Sequence, residues 1–419
     1  MKKLLLILCI LSQPIVTAQK ISKKNNINNI AIFLQDNVEI LDFAGPLEVF
    51  LVAGFNVYTV AETSDPLLAM HSLKVIPDYA IENAPIPDIV VFVGGGDIGL
   101  SKKKSIKDWV ETVVQKTELQ LTVCTGAFFL AEIGALDHKV ATTYHQSISH
   151  LKNTFPKIDV RDNIRFVDNG KVITTAGISA GIDGALHLVS KLKGEKYATK
   201  VASLMEYDKW IPEEGLIIKN DFISKIEKYG FEHILTEKNN DILYPGEILN
   251  LAEQFNKTGN YKEAERGIKI VINQSKNPGI ELYEYLRENY KLQQKSVPIT
   301  STDFIDSIKK NGIQKAKKMY NEVKKEFIDW VFVDAEDMIS LAYTDYYLKG
   351  KLSEAKEIQT FTKEIFPDDA YVTYVLGVYH EKDNDITKAI DLYKKALQID
   401  PNFVMAKDKL KSLEKTSKI

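Results

Sequence analysis

The chain has 419 residues, with 54 Lys and Arg against 57 Asp and Glu, for a formal charge of −3. That length exceeds one ordinary core and predicts two or three domains, while 45% hydrophobic and 26% charged residues exclude a disordered or fibrous chain. The mild acidity, with no Lys/Arg-rich aromatic surface, argues against nucleic acid as a partner.

The first element is a leader over residues 1–18. Lys2 and Lys3 precede an apolar run from Leu4 to Leu11, and Val16-Thr17-Ala18 forms a small-residue cleavage site. Ser12, Gln13 and Pro14 cut the run well short of the roughly 20 apolar residues a membrane span needs. Cys9 follows Leu8 rather than a small residue, so lipid attachment is not expected. The expectation is a periplasmic or secreted protein with no membrane segment. Of the two cysteines, Cys9 leaves with the leader, and Cys124 stays as the only thiol with no internal disulfide partner. A lone cysteine in an oxidising compartment is either buried and inert or kept for reactivity.

Next comes an α/β region. Ile30–Leu34, Phe55–Val60, Ile89–Val93, Leu119–Cys124 and Val172–Thr175 read as strands, several of them apolar on both faces. Pro46–Ala53, Ser105–Lys116, Gly126–Ile133 and Ala180–Lys191 read as helices between them. The alternation predicts a doubly wound parallel sheet over residues 28–210, with its ligand site beyond the C-terminal strand ends. Residues 211–244 read as a linker. From 245 to 419 the period changes: Ala355 and Ala389 stand 34 positions apart, as do Pro367 and Pro401, and Gly350 aligns with Asn384. That is the period of tetratricopeptide repeats, and three or four helical hairpins are expected.

Three elements fall on one edge of the sheet. Thr122-Val123-Cys124-Thr125-Gly126-Ala127 joins a buried strand to an apolar helix, the cysteine version of a nucleophile elbow. A helix N-terminus there is expected to favour the thiolate. Val93-Gly94-Gly95-Gly96-Asp97 follows another strand. It is either a tight turn or a cradle in which the Gly95–Gly96 backbone and the Thr125 N–H face a developing anion. Asp42 follows the first strand, where it is either a helix N-terminal carboxylate or an acid/base partner of Cys124. Asp183 and Ser179, where the last strand meets a helix starting near Ala180, read as capping and turn residues, with substrate contact as the alternative. The histidines, His71, His187, His233 and His380 among them, lack metal-ligand spacing, so neither a metal nor another cofactor is expected.

Five motifs in order carry a resemblance: Leu41-Asp42-Phe43-Ala44-Gly45-Pro46, Gly94-Gly95-Gly96, Val123-Cys124-Thr125-Gly126-Ala127, Ala141-Thr142-Thr143 and Thr175 through Asp183. They resemble the ThiJ/PfpI family of the class I glutamine amidotransferase-like superfamily. Within it they are most similar to the isonitrile hydratase branch and to the sensory half of arabinose-regulator-type transcription factors. The resemblance implies a flavodoxin-like sheet, a homodimer, Cys124 as nucleophile with Asp42 as acidic partner, and Thr125 in substrate binding. Many relatives place histidine directly after the two threonines. Here Tyr144 stands there and His145 one place later, a shift that turns the imidazole away if the backbone is extended, so both stay candidates for substrate binding, Tyr144 through its hydroxyl or His145 through its ring.

Two functions fit. One is a cysteine-dependent enzyme acting on a small carbon–nitrogen or carbonyl compound, with isonitrile hydration the nearest family chemistry and glyoxalase-like, deglycase or amidase activity as neighbours. The other is a ligand- or redox-sensing module whose repeats bind a protein partner. An inert scaffold for the repeats would have no use for all three elements together.

Overall fold

The computed structural model describes residues 27–208, 210–218, 222–236, 243–275 and 278–416; the leader expected over 1–18 lies outside the described residues. The chain divides into two compact units, Met1–Lys257 and Thr258–Ile419.

In the first unit, β1 (Asn29–Phe33), α1 (Ile40–Val52) and β2 (Asn56–Ala61) are followed by a hairpin, β3 (Leu67–Ala69) and β4 (Leu73–Val75), and by β5 (Tyr79–Ala80). Then come β6 (Ile89–Phe92), α2 (Lys104–Lys116), β7 (Leu119–Thr122), α3 (Ala127–Glu132), β8 (Val140–Ala141), α4 (Ile148–Thr154) and β9 (Asp159–Val160). The unit continues with β10 (Phe166–Asp168), β11 (Val172–Thr175), α5 (Ala180–Lys193), α6 (Glu195–Leu204), β12 (Leu216–Ile217), α7 (Phe222–Tyr229), α8 (Phe231–Thr236) and α9 (Pro245–Lys257).

Eight strands form one sheet in the order β12-β10-β11-β7-β6-β1-β2-β5, parallel except where β10 meets β11. The five strands read from the sequence supply its centre. Alternate residues explain why both faces are covered. Ile30 and Ile32 join the core that holds Val49, Phe50, Leu186 and Val189, whereas Ala31 and Phe33 join the opposite core with Val110, Phe128 and Phe129. Each such buried side chain contributes about 1.5–3 kcal/mol.

The chain leaves β1 toward β2 and then returns to place β6 on the other side of β1. The resulting switch point between β1 and β6 is where a doubly wound sheet opens a crevice at its C-terminal edge.

This unit extends further than the expected 28–210. Residues of the expected linker supply β12, which pairs with β10 through Val167–Leu216 and Asp168–Ile217. Helix α9, expected among the repeats, belongs to the first unit because charge holds it to α5. Lys191, only 4% exposed, donates to Asp168 Oδ2 at 3.0 Å and to Glu247 Oε1 at 2.7 Å. Asn250 of α9 adds bonds to Ser190 Oγ and to the Glu195 N–H, and His187 shares Asp168 at 2.8 Å.

The second unit is helical: α10 (Tyr261–Gln274), α11 (Ile280–Leu292), α12 (Ser301–Asn311), α13 (Ile313–Glu326), α14 (Ala335–Ser340), α15 (Leu352–Ile365), α16 (Ala370–Lys382), α17 (Ile386–Ile399) and α18 (Val404–Thr416). The repeat positions are structural. Ala355 and Ala389 are fully buried, Gly350 and Asn384 take left-handed turns, and Pro367 and Pro401 each follow the end of a helix by two residues. Among the described residues no helix is long and apolar enough to cross a membrane, and no group of three or more His, Cys, Asp or Glu side chains is placed to hold a metal ion.

Candidate functional site

Register builds the site. Phe33 pairs with Phe92, Phe92 with Thr122, and Thr122 with Thr174, so the loops after β1, β6, β7 and β11 leave the sheet side by side. Val123 N–H donates to Phe92 O at 2.8 Å, and Cys124 N–H to Ala176 O at 3.1 Å. Cys124 is thus clamped between the ends of β6 and β11, and Thr143 Oγ1 closes the clamp by donating to its carbonyl at 2.7 Å. The cysteine takes a left-handed φ of 59° and is 5% exposed. Holding a non-glycine residue there costs about 1–3 kcal/mol, the strain expected of a nucleophile elbow.

Asp42 is fully buried. It sits in the first turn of α1 rather than at the end of β1, because the helix begins at Ile40, six residues before the Pro46 taken as its start. Its Oδ2 accepts the Gly94 N–H at 3.1 Å and its Oδ1 accepts the Ile178 N–H at 2.9 Å. The Cys124 side chain lies close enough to Asp42 for each to shift the other's titration. Asp42 is thus a helix N-terminal carboxylate that also lies beside the thiol. Burial pushes its pKa up to about 6, against the pull of Cys124 and the two N–H groups.

The thiol is also pushed up, by burial and then by the Asp42 charge; the Thr125 N–H at the sulfur pulls the other way. The expected thiolate at a helix N-terminus is corrected here. The helix behind Cys124 is short, only Ala127–Glu132 after a 3-10 turn, and burial beside a carboxylate outweighs its dipole. Burial and the Asp42 charge together favour keeping the proton on sulfur.

The glycine turn is oriented differently from expectation. Gly96 N–H is committed to Asn37 O at 2.8 Å, and Gly95 forms a bridge with Val38 while its carbonyl accepts Gln35 Nε2 at 2.9 Å. In this turn the Gly94 N–H donates to Asp42 Oδ2. A Cβ at Gly94 would lie 2.7 Å from Thr125 N and 2.8 Å from Asp42 Oδ2, so only glycine lets β6 end so close to both.

Tyr144 is half-buried and His145 exposed. The two rings touch with centroids 4.3 Å apart. The Tyr144 ring and the thiol both border Gly177: a Cβ there would sit 2.5 Å from Tyr144 Cδ2 and 3.3 Å from Cys124 Sγ. Gly177 and Ile178 are the site residues that the pattern of types did not single out. Ile178 is a β-branched residue at φ 58°, a genuine outlier, and its contribution is a backbone N–H, which leaves no trace in side-chain chemistry. Ser179 makes no side-chain cap to α5, contrary to expectation; its Oγ accepts from Arg165 Nη2 at 3.2 Å. Asp183, in the first turn of α5, pairs with Arg165 and accepts from Tyr207 Oη at 2.9 Å.

A mostly parallel flavodoxin-like sheet carrying a strained cysteine beside a buried carboxylate at its switch point defines the class. Comparison with known proteins agrees: the DJ-1/PfpI family pattern matches residues 28–191, and a tetratricopeptide repeat matches residues 370–403. Isonitrile hydratase of Pseudomonas putida is 32% identical over 180 residues, which cover 42% of this chain and 78% of that protein. The HTH-type transcriptional regulator GbdR of Pseudomonas aeruginosa is 22% identical, and the match spans 45% of this chain and 53%, about half, of the regulator. A crystal structure of a ThiJ/PfpI family protein from Pseudomonas syringae superposes with a TM-score of 0.41 at 24% identity, covering 44% of this chain and 77% of that one. The chain belongs to the DJ-1/PfpI family.

Proposed function

We propose that the first unit is a cysteine-dependent enzyme that hydrates a small carbon–nitrogen compound, with isonitriles as the leading substrate class. The observation that carries this is the juxtaposition of buried Asp42 with the buried Cys124 thiol, where burial pushes the carboxyl group up to about 6. A base with that pKa is matched to proton transfer at physiological pH. Asp42 takes the Sγ–H proton as sulfur attacks the terminal isonitrile carbon, then returns it to that carbon, giving a thioimidate. Water adds to the thioimidate carbon, a proton passes to nitrogen, and the C–S bond breaks to restore the thiol and release an N-substituted formamide. Thr125 and Tyr144 are assigned here to substrate contact, supported by their places beside Gly94 and Gly177, and the similarity to an isonitrile hydratase supports the same chemistry.

The leader over 1–18 supports export to the periplasm or beyond, the family supports a homodimer, and the repeat supports a protein partner. A second reading, a ligand-sensing module, is favoured by the match to a transcriptional regulator. The test is formamide release from a small aliphatic isonitrile by the purified protein, alongside Cys124→Ala and Asp42→Asn. Turnover that both substitutions abolish is the expected result. No turnover of isonitriles, dicarbonyls or amides, with saturable Cys124-dependent ligand binding, would instead favour the sensor.

A further inference from the structure

We propose that Arg165 is a positioning residue for the Asp42–Cys124 pair, because its side chain ties down the far end of the turn that delivers the Ile178 N–H to Asp42, while its backbone carbonyl holds the near end. The inference rests on the proposed role of that pair. The turn runs from Ala176 to the start of α5. At its near end, Arg165 O accepts the Ala176 N–H at 2.9 Å, and Ala176 O in turn accepts the Cys124 N–H at 3.1 Å. At its far end the guanidinium pairs with Asp183 Oδ2, and Nη2 reaches Ser179 Oγ at 3.2 Å. Asp183 is 3% exposed and is fixed from its other side by Tyr207 Oη at 2.9 Å.

Between these anchors lies Ile178, left-handed at φ 58° and 39% exposed. Side-chain packing does little to hold so exposed a residue in an unfavourable conformation. The anchors hold it together with the Gly181 N–H, which donates to the Ile178 carbonyl at 3.1 Å, and the result is its N–H on Asp42 Oδ1 at 2.9 Å. A hydrogen bond to the charged form favours that form, so a turn that lets go of Asp42 raises its pKa further. The charged groups facing this arrangement are Glu39 beside Asp42 and Cys124, and Glu214, 3.9 Å from Arg165 Nε. Neither is positioned to replace the strut.

The test uses the full chain in a Cys9→Ser background, where Cys124 is the only thiol. Alkylation of Cys124 by iodoacetamide is followed from pH 5 to 10 in that background and in Arg165→Ala, Arg165→Lys and Ser179→Ala, and hydrogen exchange is measured on the peptide spanning 176–182. Expected for Arg165→Ala is a rate step that moves upward by about one pH unit, with exchange in the 176–182 peptide at least about tenfold faster. Arg165→Lys, which keeps a charge for Asp183 without the fork that also reaches Ser179, should fall between. A variant that melts at a lower temperature with its pH step unmoved makes Arg165 merely structural and overturns the proposal. If the background protein shows no step near neutrality, the Asp42–Cys124 chemistry fails; unchanged exchange in Arg165→Ala then sinks the strut separately.

Discussion

Replacing Asp42 by asparagine should change stability with a sign that depends on pH. Asp42 is raised from 3.8 to about 6 in the fold. Its contribution is therefore fully present below pH 3.8 and is lost as pH rises through 6, when the folded protein must hold a buried carboxylate. The difference in pKa corresponds to about 3 kcal/mol in all, most of it between pH 4 and pH 6. Asparagine removes this cost but offers a single oxygen to the N–H groups of Gly94 and Ile178, losing about 1 kcal/mol or more at every pH. The variant should thus be less stable than the parent at pH 4 and more stable by about 1–2 kcal/mol at pH 8, a few degrees in the melting of the first unit. Thermal melts at pH 4, 6 and 8 read this directly. A destabilisation of the same size at all three values would refute the idea that burial of the charge sets the pKa of Asp42.

The same physics runs the other way at Asp168, which burial alone would raise but which bonds from His187 and the charge of Lys191 hold down at about 2. Its stabilisation is present above pH 3.8 and is lost as pH falls toward 2. Asp168→Asn should destabilise the first unit by about 3–5 kcal/mol at pH 7 by leaving Lys191 short of a partner, measured by urea unfolding. Gly177→Ala should displace the Tyr144 ring, since the added carbon would fall 2.5 Å from Cδ2. The expected result is a Cys124 alkylation rate changed severalfold with the melting temperature altered far less. In the repeats, Ala389→Leu at a fully buried position should cost about 1–3 kcal/mol by overpacking, seen as a lowered transition of the second unit only.

What the sequence disclosed follows from where information sits in side chains. Apolar runs on both faces gave the central strands, and the 34-residue spacing of Ala355, Ala389, Pro367 and Pro401 fixed the frame of the last repeats, because burial and helix ends demand particular residue types there. Cys124 and Asp42 were legible for the same reason. The direction of the thiol's pKa was not, since it depends on burial and on a carboxylate 82 positions away in the chain. Nor were the N–H of Ile178, the commitment of the Gly96 N–H to Asn37, or the docking of α9 through Lys191. Backbone donors carry no residue signature, and a buried Lys–Glu pair reads in one dimension as two surface charges.

The central claim is that Asp42 is the base for Cys124. It is tested most directly by the pH dependence of Cys124 alkylation in the Cys9→Ser background with and without Asp42→Asn. The pair predicts a rate that steps up through about pH 6 as Asp42 ionises and stays nearly level to about pH 9, with the step absent in Asp42→Asn. A single rise at or above the ordinary thiol value of about 8.5, the same in both proteins, would contradict it.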